Sequence, residues 1–383
     1  MPRILHIIPR LNKGGAERLC LDICNQLQKH IDVQVRLITF SDENFYPFLT
    51  ENIDWQVVPA SVQLSVFHKN VLNIDALQKA IEDFAPDVIH THLFEAEIVS
   101  RSCHYPQAKW FSHCHDNMKQ FRNFDLRTLF NKELLTNYYE KRYLFSHYKA
   151  NDGTTFVAIS HDTESYFRQT QPYSVELLPN AIDYNKFYVD VKHLSGTRLR
   201  LVNVGSYQDK KNQKFLVDVA KILRNRNVDF EINFLGDGER YSDVSRLISA
   251  GNLQDNVFQH GNVNNVEEYL WNSDIYVHSA YYEPLGLVLL EAMAAGLPVV
   301  TLDGRGNRDL IVQGKNGYMV YEQDAEQFAD RILEIWNDKQ KYNQMSAFAQ
   351  EFARQFDIKP YVDSLLDFYQ GSNSLSFIPV FFV

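Results

Sequence analysis

Cysteine is scarce in this 383-residue chain, with Cys20, Cys24, Cys103 and Cys114 the only four. They show neither CxxC spacing nor the density of a secreted scaffold, which argues against a disulfide framework and points to a reducing cytoplasm. No stretch approaches the ~20 uncharged apolar residues that span a bilayer, and the apolar tail from Phe377 to Val383 is also too short. The opening run from Ile4 to Ile8 is shorter than a signal-peptide core and has no small-residue cleavage site. Basic residues are outnumbered, 38 Lys and Arg against 48 Asp and Glu, for a net charge of -10. Neutralising phosphates needs clustered cations, so general affinity for nucleic acid is disfavoured. Low complexity is also missing: 45% hydrophobic and 22% charged residues is an ordinary globular composition. The length fits two domains of ~100–200 residues each.

What is present is alternation. Short β-rich runs (Ile4 to Ile8, Val33 to Phe40, Trp55 to Val58, Val88 to His92, Trp110 to His113, Phe156 to Ser160, Val175 to Leu178) are separated by segments of helical period. After a polar stretch around Asp190 to Thr197 the pattern restarts with Leu199 to Val204, Phe230 to Leu235, Val257 to His260, Ile275 to His278, Pro298 to Leu302 and Tyr318 to Tyr321. Strands that alternate with helices predict parallel sheets covered on both faces. The expected organisation is a first domain over 1–194, a second over 195–358, and a closing helix with an apolar tail over 359–383 that packs back on the first. Ligands of open parallel sheets bind beyond the carboxyl ends of the strands, so the loops that follow strands carry the candidate site.

Four such loops stand out. Asn12-Lys13-Gly14-Gly15-Ala16 leads into a helix, where glycines let backbone N–H groups approach a phosphate or sugar. A tight turn explains the pair equally well. Gly205 to Asn212 ends with Lys210 and Lys211, and a lysine there can hold a point charge over a diphosphate. Gly236 and Gly238 follow the next strand. The fourth runs from Glu283 to Pro298. Pro284 suits a first helical position and Gly296 a stop, which brackets a helix of about three turns with Glu283 at its N-terminus. At ~1.5 Å rise per residue Glu283 and Glu291 start roughly 12 Å apart. A glycosidase pair needs ~5–9.5 Å, so the spacing suits two ends of one elongated ligand better than a hydrolytic pair.

EPLGLVLLEAMAAGLPVV resembles the E-x7-E motif of the retaining GT-B glycosyltransferases of group 1, or family 4. GGAER, PDVIHTH, HCHDN, VAIS, LPNAIDYNKF, VGSYQDKKN, LGDGE, HGNV and SDIYVHSAYYEP fit in order, from residue 4 to about 357. The resemblance implies a GT-B architecture, with two Rossmann-like domains facing each other across a cleft, the first binding acceptor and the second donor. It implies that Glu283 contacts the transferred sugar and that Glu291 holds the ribose. Backbone amides at Gly286, Leu287 and Val288 would meet the donor, Lys211 would pair with the diphosphate, and Val263 would meet the base. Gly15, Gly205 and Gly236 would border the donor. A UDP- or GDP-linked sugar is the implied donor substrate, with no cofactor and no metal. The family's usual arginine after the glycine is Ser206 here, which leaves Lys210, Arg18 or another residue to replace it. Gly304 to Asp309 is a looser match.

Histidines crowd the first half at His90, His92, His113 and His115. Alternation along a strand is expected to keep these short pairs from facing one ion. The resemblance places His115, with His113 as competitor, against the donor sugar, and core hydrogen bonds suit His90 better. No Asp-x-Asp occurs, the pattern a metal-dependent GT-A enzyme would use. From Met118 to Ala150 there are seven Lys or Arg against three acids, interleaved with Phe121, Phe124, Leu126, Phe130, Tyr138, Tyr139 and Tyr143. That mixture suits a peripheral contact with the inner face of a membrane, and a helix with a solvated basic face suits it as well. The expectation is therefore a retaining glycosyltransferase acting on a glycan or lipid-linked acceptor, of the kind used in bacterial surface polysaccharide synthesis. A nucleotide-sugar epimerase, a phosphorylase, or a noncatalytic sugar-nucleotide-binding subunit are the alternatives.

Overall fold

A computed structural model describes residues 1–66, 68–190 and 196–371. The expected boundary at 194/195 and the apolar tail lie partly or wholly outside the described residues. In the first half the strands are β1 (Arg3–Ile7), β2 (Gln34–Thr39), β3 (Trp55–Val57), β4 (Ser61–Gln63), β5 (Val71–Asn73), β6 (Val88–His92), β7 (Lys109–Cys114), β8 (Thr155–Ala158) and β9 (Ser174–Leu177). Seven of them form one parallel sheet in the order β3-β2-β1-β6-β7-β8-β9, and β4 and β5 make a small antiparallel pair. The second half has β10 (Leu199–Val204), β11 (Phe230–Leu235), β12 (Val257–Gln259), β13 (Ile275–His278), β14 (Val299–Leu302) and β15 (Gly317–Val320). These run parallel in the order β12-β11-β10-β13-β14-β15, the doubly wound order of a Rossmann fold.

The chain divides into two compact units, and the division falls between Asn180 and Ala181, ahead of the polar stretch. The reason is local bonding. The Ile182 N–H donates to the Phe356 carbonyl at 2.9 Å, and Trp271 Nε1 donates to the Phe187 carbonyl at 2.7 Å. Residues just after Asn180 are thus held by second-unit elements. The helix Ile358–Gln370 belongs to the first unit, where it buries Tyr361, Val362, Leu365 and Tyr369. Apolar β-branched and aromatic runs such as Ile4 to Ile8 are buried on both faces, as a covered parallel sheet requires.

The core of the first unit also contains a charge. Arg101 is fully buried at the end of the helix Leu93–Arg101. Its Nε lies 3.1 Å from Glu97 Oε1, its Nη1 donates to the Gly153 carbonyl at 3.0 Å, and the guanidinium sits 4.3 Å from the Trp110 ring centre. Glu97 in turn accepts from the Thr91 hydroxyl. Removing one partner of a buried pair strands the other charge, at about 3–5 kcal/mol. Arg101→Ala should therefore lower the urea unfolding free energy by about that much; a loss below ~1 kcal/mol would show that the pair is not holding β6, β7 and the Gly153 turn together.

Candidate functional site

In the second unit the strand order reverses between β10 and β13, so their carboxyl ends flank a switch point. The loop after β10 makes a short turn, Asp209–Lys211, that aims Lys211 inward. The loop after β13 carries Ser279, whose hydroxyl donates to the Lys211 carbonyl at 2.8 Å, and then Glu283. Lys211 Nζ meets Glu283 Oε2 at 2.5 Å, and His278 Nε2, at the end of β13, lies 3.2 Å from the same oxygen. Glu283 is buried, which opposes its charge, but Lys211 and then His278 overcome that and hold the carboxyl well below its ordinary range. Burial keeps the His278 pKa low, against the pull of Glu283. A neutral His278 donates one hydrogen bond to Glu283 while its Nδ1 lies 3.4 Å from the Tyr276 hydroxyl. His278 was missed from the sequence; its position as the last residue of a switch-point strand is the signal that marks it.

The expected helix start is corrected. The helix spans Leu287–Ala294, eight residues, and Glu283 and Pro284 precede it in a loop. Gly286 is the cap residue at φ 95°, a left-handed conformation that puts the helix start three residues later than Pro284 suggested. Glu283 is instead held by β14's loop: its N–H donates to the Gly304 carbonyl at 2.8 Å and its carbonyl accepts from the Gly306 N–H at 3.1 Å. The 12 Å estimate, which assumed continuous helix, does not apply. Leu287 and Val288 form the first turn, and half-buried Glu291 sits in the middle of the helix.

Gly205 and Gly236 cross closely beyond β10 and β11. Gly236 has φ 129°, and a Cβ there would lie 2.2 Å from the Gly205 carbonyl oxygen, so only glycine fits. Beside them is a recess of about 570 Å³ lined by Ser206, Gln208, Asp209, Lys210, Asp237, Gly238, Glu239 and Tyr281. Lys210 shares this recess with Ser206, whereas Arg18 lies in the first unit, paired with Asp22 at 2.8 Å. Nearby Arg240 is taken up by Asp209 at 2.8 Å. Val263 lies in the loop between β12 and the helix Val266–Trp271.

In the first unit Gly15 opens the helix Gly15–Leu27 after β1. The histidines contradict the expected divergence. Residues two apart on a strand share a face, so His90 with His92 and His113 with His115 gather on one side, and His6 of β1 joins them. Two groups of three, His6 with His90 and His92, and His92 with His113 and His115, have ring nitrogens within 4.8 Å of one another; His6 with Cys20 and Cys24 makes a third. His113 Nε2 lies 2.9 Å from Asn180 Oδ1, and His90 Nδ1 lies 2.5 Å from the Tyr369 hydroxyl, so both are anchored in the core. His115 is half-buried, at the carboxyl end of β7. The basic, aromatic stretch divides between interior and surface. Lys141 is buried and donates to the Phe121 carbonyl at 2.7 Å, and the exposed apolar side chains Leu126 (76%), Leu129 and Phe130 (90%) gather on a single 3-10 turn, Leu126–Phe130, rather than along the helix Lys132–Ala150.

Comparison with known proteins agrees with this construction. The chain is 26% identical over 331 residues to Bacillus subtilis EpsF, covering 79% of each chain. It is 22% identical over 324 residues to the poly(ribitol-phosphate) alpha-N-acetylglucosaminyltransferase of Staphylococcus aureus, covering 81% of this chain and 61% of that one. It spans less than two thirds of the length of several curated relatives. The crystal structure of Anabaena HepE matches with a TM-score of 0.77 at 19% identity, over 97% of this chain and 100% of that one, and WaaG with a TM-score of 0.70 at 18% identity, over 96% and 100%. Residues 13–186 match the model of Glycosyltransferase Family 4 and residues 187–352 that of the glycosyl transferases of group 1. With both halves matched in that order, the chain belongs to the GT-B glycosyltransferases.

Proposed function

We propose that this protein is a retaining glycosyltransferase that moves a sugar from a nucleotide diphosphate sugar to a hydroxyl of a glycan or lipid-linked acceptor, in the synthesis of a bacterial surface polysaccharide. The observation that carries the reading is the Lys211, Glu283 and His278 cluster at the switch point of the second unit. A lysine ammonium has three N–H donors, so the ion pair with Glu283 leaves others for a diphosphate. Glu283, held ionised, accepts hydrogen bonds from sugar hydroxyls. The amides of Gly286, Leu287 and Val288 open a helix, where a partial positive charge favours an anion, and Glu291 takes the ribose. Transfer proceeds on one face of the sugar: the acceptor oxygen bonds to the anomeric carbon, the bond to the diphosphate breaks, and the acceptor proton passes to a phosphate oxygen of the leaving group. Lys211 stabilises the charge that develops there. No cofactor is needed. The first unit takes the acceptor, with His115 toward the sugar.

A UDP sugar is the first donor to test, because HepE was crystallised in complex with UDP-glucose. The product's anomeric configuration, read by NMR, tests retention: inversion overturns it. Glu283→Gln should reduce transfer by about 10²-fold or more while nucleotide binding persists, and near-normal turnover would remove Glu283 from the site. Ser206 favours one other reading, a noncatalytic subunit that binds sugar nucleotides. The same incubation separates the two, since such a subunit, or an epimerase, yields bound or epimerised donor without transfer.

Lys210 is the cation that stands in for the missing arginine, because it shares a recess with Ser206. Lys210→Ala should weaken UDP-sugar binding by roughly tenfold, the loss of a charge-assisted contact of about 1.5–3 kcal/mol partly compensated by solvent, and Ser206→Arg in that background should restore it. Unchanged binding in Lys210→Ala rejects the assignment.

The 3-10 turn Leu126–Phe130, with Arg122, Arg127 and Lys132 around it, is proposed to touch the inner face of the cell membrane. Cosedimentation with anionic vesicles should fall about fivefold for Arg127→Ala, at about 1 kcal/mol per cation, and further for Leu126→Ser with Phe130→Ser. Binding that is indifferent to all three refutes the contact.

A further inference from the structure

The histidines of the first unit meet end to end at its own switch point. β1 and β6 are neighbours whose onward connections run in opposite directions across the sheet, and β7 follows β6. His6 Nδ1 lies 2.9 Å from His92 Nε2, and His92 Nδ1 lies 3.0 Å from His115 Nε2. Ring centres in these two pairs are 5.2 and 5.3 Å apart with planes inclined by only 27° and 30°, the geometry of imidazoles joined edge to edge. His90 and His113 lie against this row, with ring centres 4.7 Å from His92 and 4.2 Å from His115. The same distances argue against an ion between the rings. Two nitrogens on one tetrahedral ion, at about 2.0–2.1 Å from it, stand roughly 3.3 Å apart, and these contacts are a few tenths of an ångström shorter, at the length of a hydrogen bond.

A neutral imidazole has one N–H and one lone pair. A row in which His92 uses both nitrogens can therefore run in only two directions. If His115 gives its Nε2 proton to His92, then His92 gives its own to His6 Nδ1, and His6 must carry its proton on Nε2. That nitrogen is fully buried and has no hydrogen-bond partner among the described residues. A buried N–H without a partner is rarer than an unused lone pair. The opposite direction leaves only a lone pair at His6 Nε2: His6 Nδ1–H donates to His92 Nε2, and His92 Nδ1–H donates to His115 Nε2. His115 then carries its proton on Nδ1. Burial favours the neutral form of all three rings, which the row requires.

We propose that His6, His92 and His115 form an imidazole row that fixes His115 as the Nδ1–H tautomer, with His6 and His92 acting as positioning residues. This deepens the reading that His115 faces the donor sugar and rests on it for its functional meaning: His115 presents an N–H donor to a sugar or phosphate oxygen and is not a proton acceptor through Nε2. His6 and His92 set that polarity from the interior, where neither meets substrate.

The test is ¹⁵N NMR of the full-length protein labelled at histidine, without ligand, at neutral pH, with the His115 signals assigned by their loss in His115→Gln. The expected spectrum has His115 protonated at Nδ1 and bare at Nε2. His92→Phe removes the donor and should shift His115 severalfold toward the Nε2–H tautomer that free histidine prefers, whereas His92→Asn, whose amide can still donate to Nε2, should retain Nδ1–H. A His115 that is Nε2-protonated in the parent protein, or charged, overturns the proposal. So does a folded His92→Phe with an unchanged tautomer; if that variant does not fold, the parent and His92→Asn spectra still decide. Because no substrate is present, failure here is distinct from failure of the glycosyltransferase reading, which the transfer assay with Glu283→Gln decides.

Discussion

The second unit turns on one buried charge. A carboxylate removed from water is penalised by several kcal/mol unless it is paired and hydrogen-bonded, and Glu283 meets both conditions only because three separate loops converge on it. Lys211 arrives after β10, His278 ends β13, and the backbone of Gly304 and Gly306 comes from beyond β14. Each of these loops would be free to wander at the end of its strand. Joined through one carboxylate oxygen and the backbone of one residue, they share a single arrangement, and the glycine crossing of Gly205 and Gly236 fixes the adjoining wall.

Much of this could be read in the residues themselves. Apolar runs at regular intervals announced the strands, and the resemblance placed Lys211 and Glu283 in one site although 72 positions separate them. What was lost lies where local rules compete. Pro284 is a good first helical residue, yet the left-handed Gly286 sets the helix start, because the chain must first let Glu283 pair with the loop after β14. Lys141 counted as surface charge in a tally of the basic stretch, but its ammonium reaches a buried carbonyl. The histidine pairs were misread for a simpler reason: period two brings alternate residues to the same face, and a neighbouring strand doubles the effect.

The two units use their switch points differently. In the second, charged groups neutralise one another beyond the strand ends. In the first, the corresponding strand ends carry neutral imidazoles packed ring against ring, with hydroxyl and amide anchors supplied by Tyr369 and Asn180. One architecture thus supports a charged cluster in one unit and a nearly apolar, hydrogen-bonded layer in the other, according to the side chains at and just beyond the carboxyl ends of the strands.

The placement of the helix Ile358–Gln370 bears on how the molecule is made. Its residue Tyr369 closes over His90, so the first unit lacks part of its interior until this helix has been synthesised, whereas the described residues of the second unit all fall within Ala181–Asp357. During elongation at roughly 5–20 residues per second, that stretch is complete before the helix that closes the first unit. The amino-terminal half must wait, incompletely packed, for about 190 further residues, some 10–40 seconds at that rate. Through that interval the histidine layer stays without the Tyr369 hydroxyl that anchors His90.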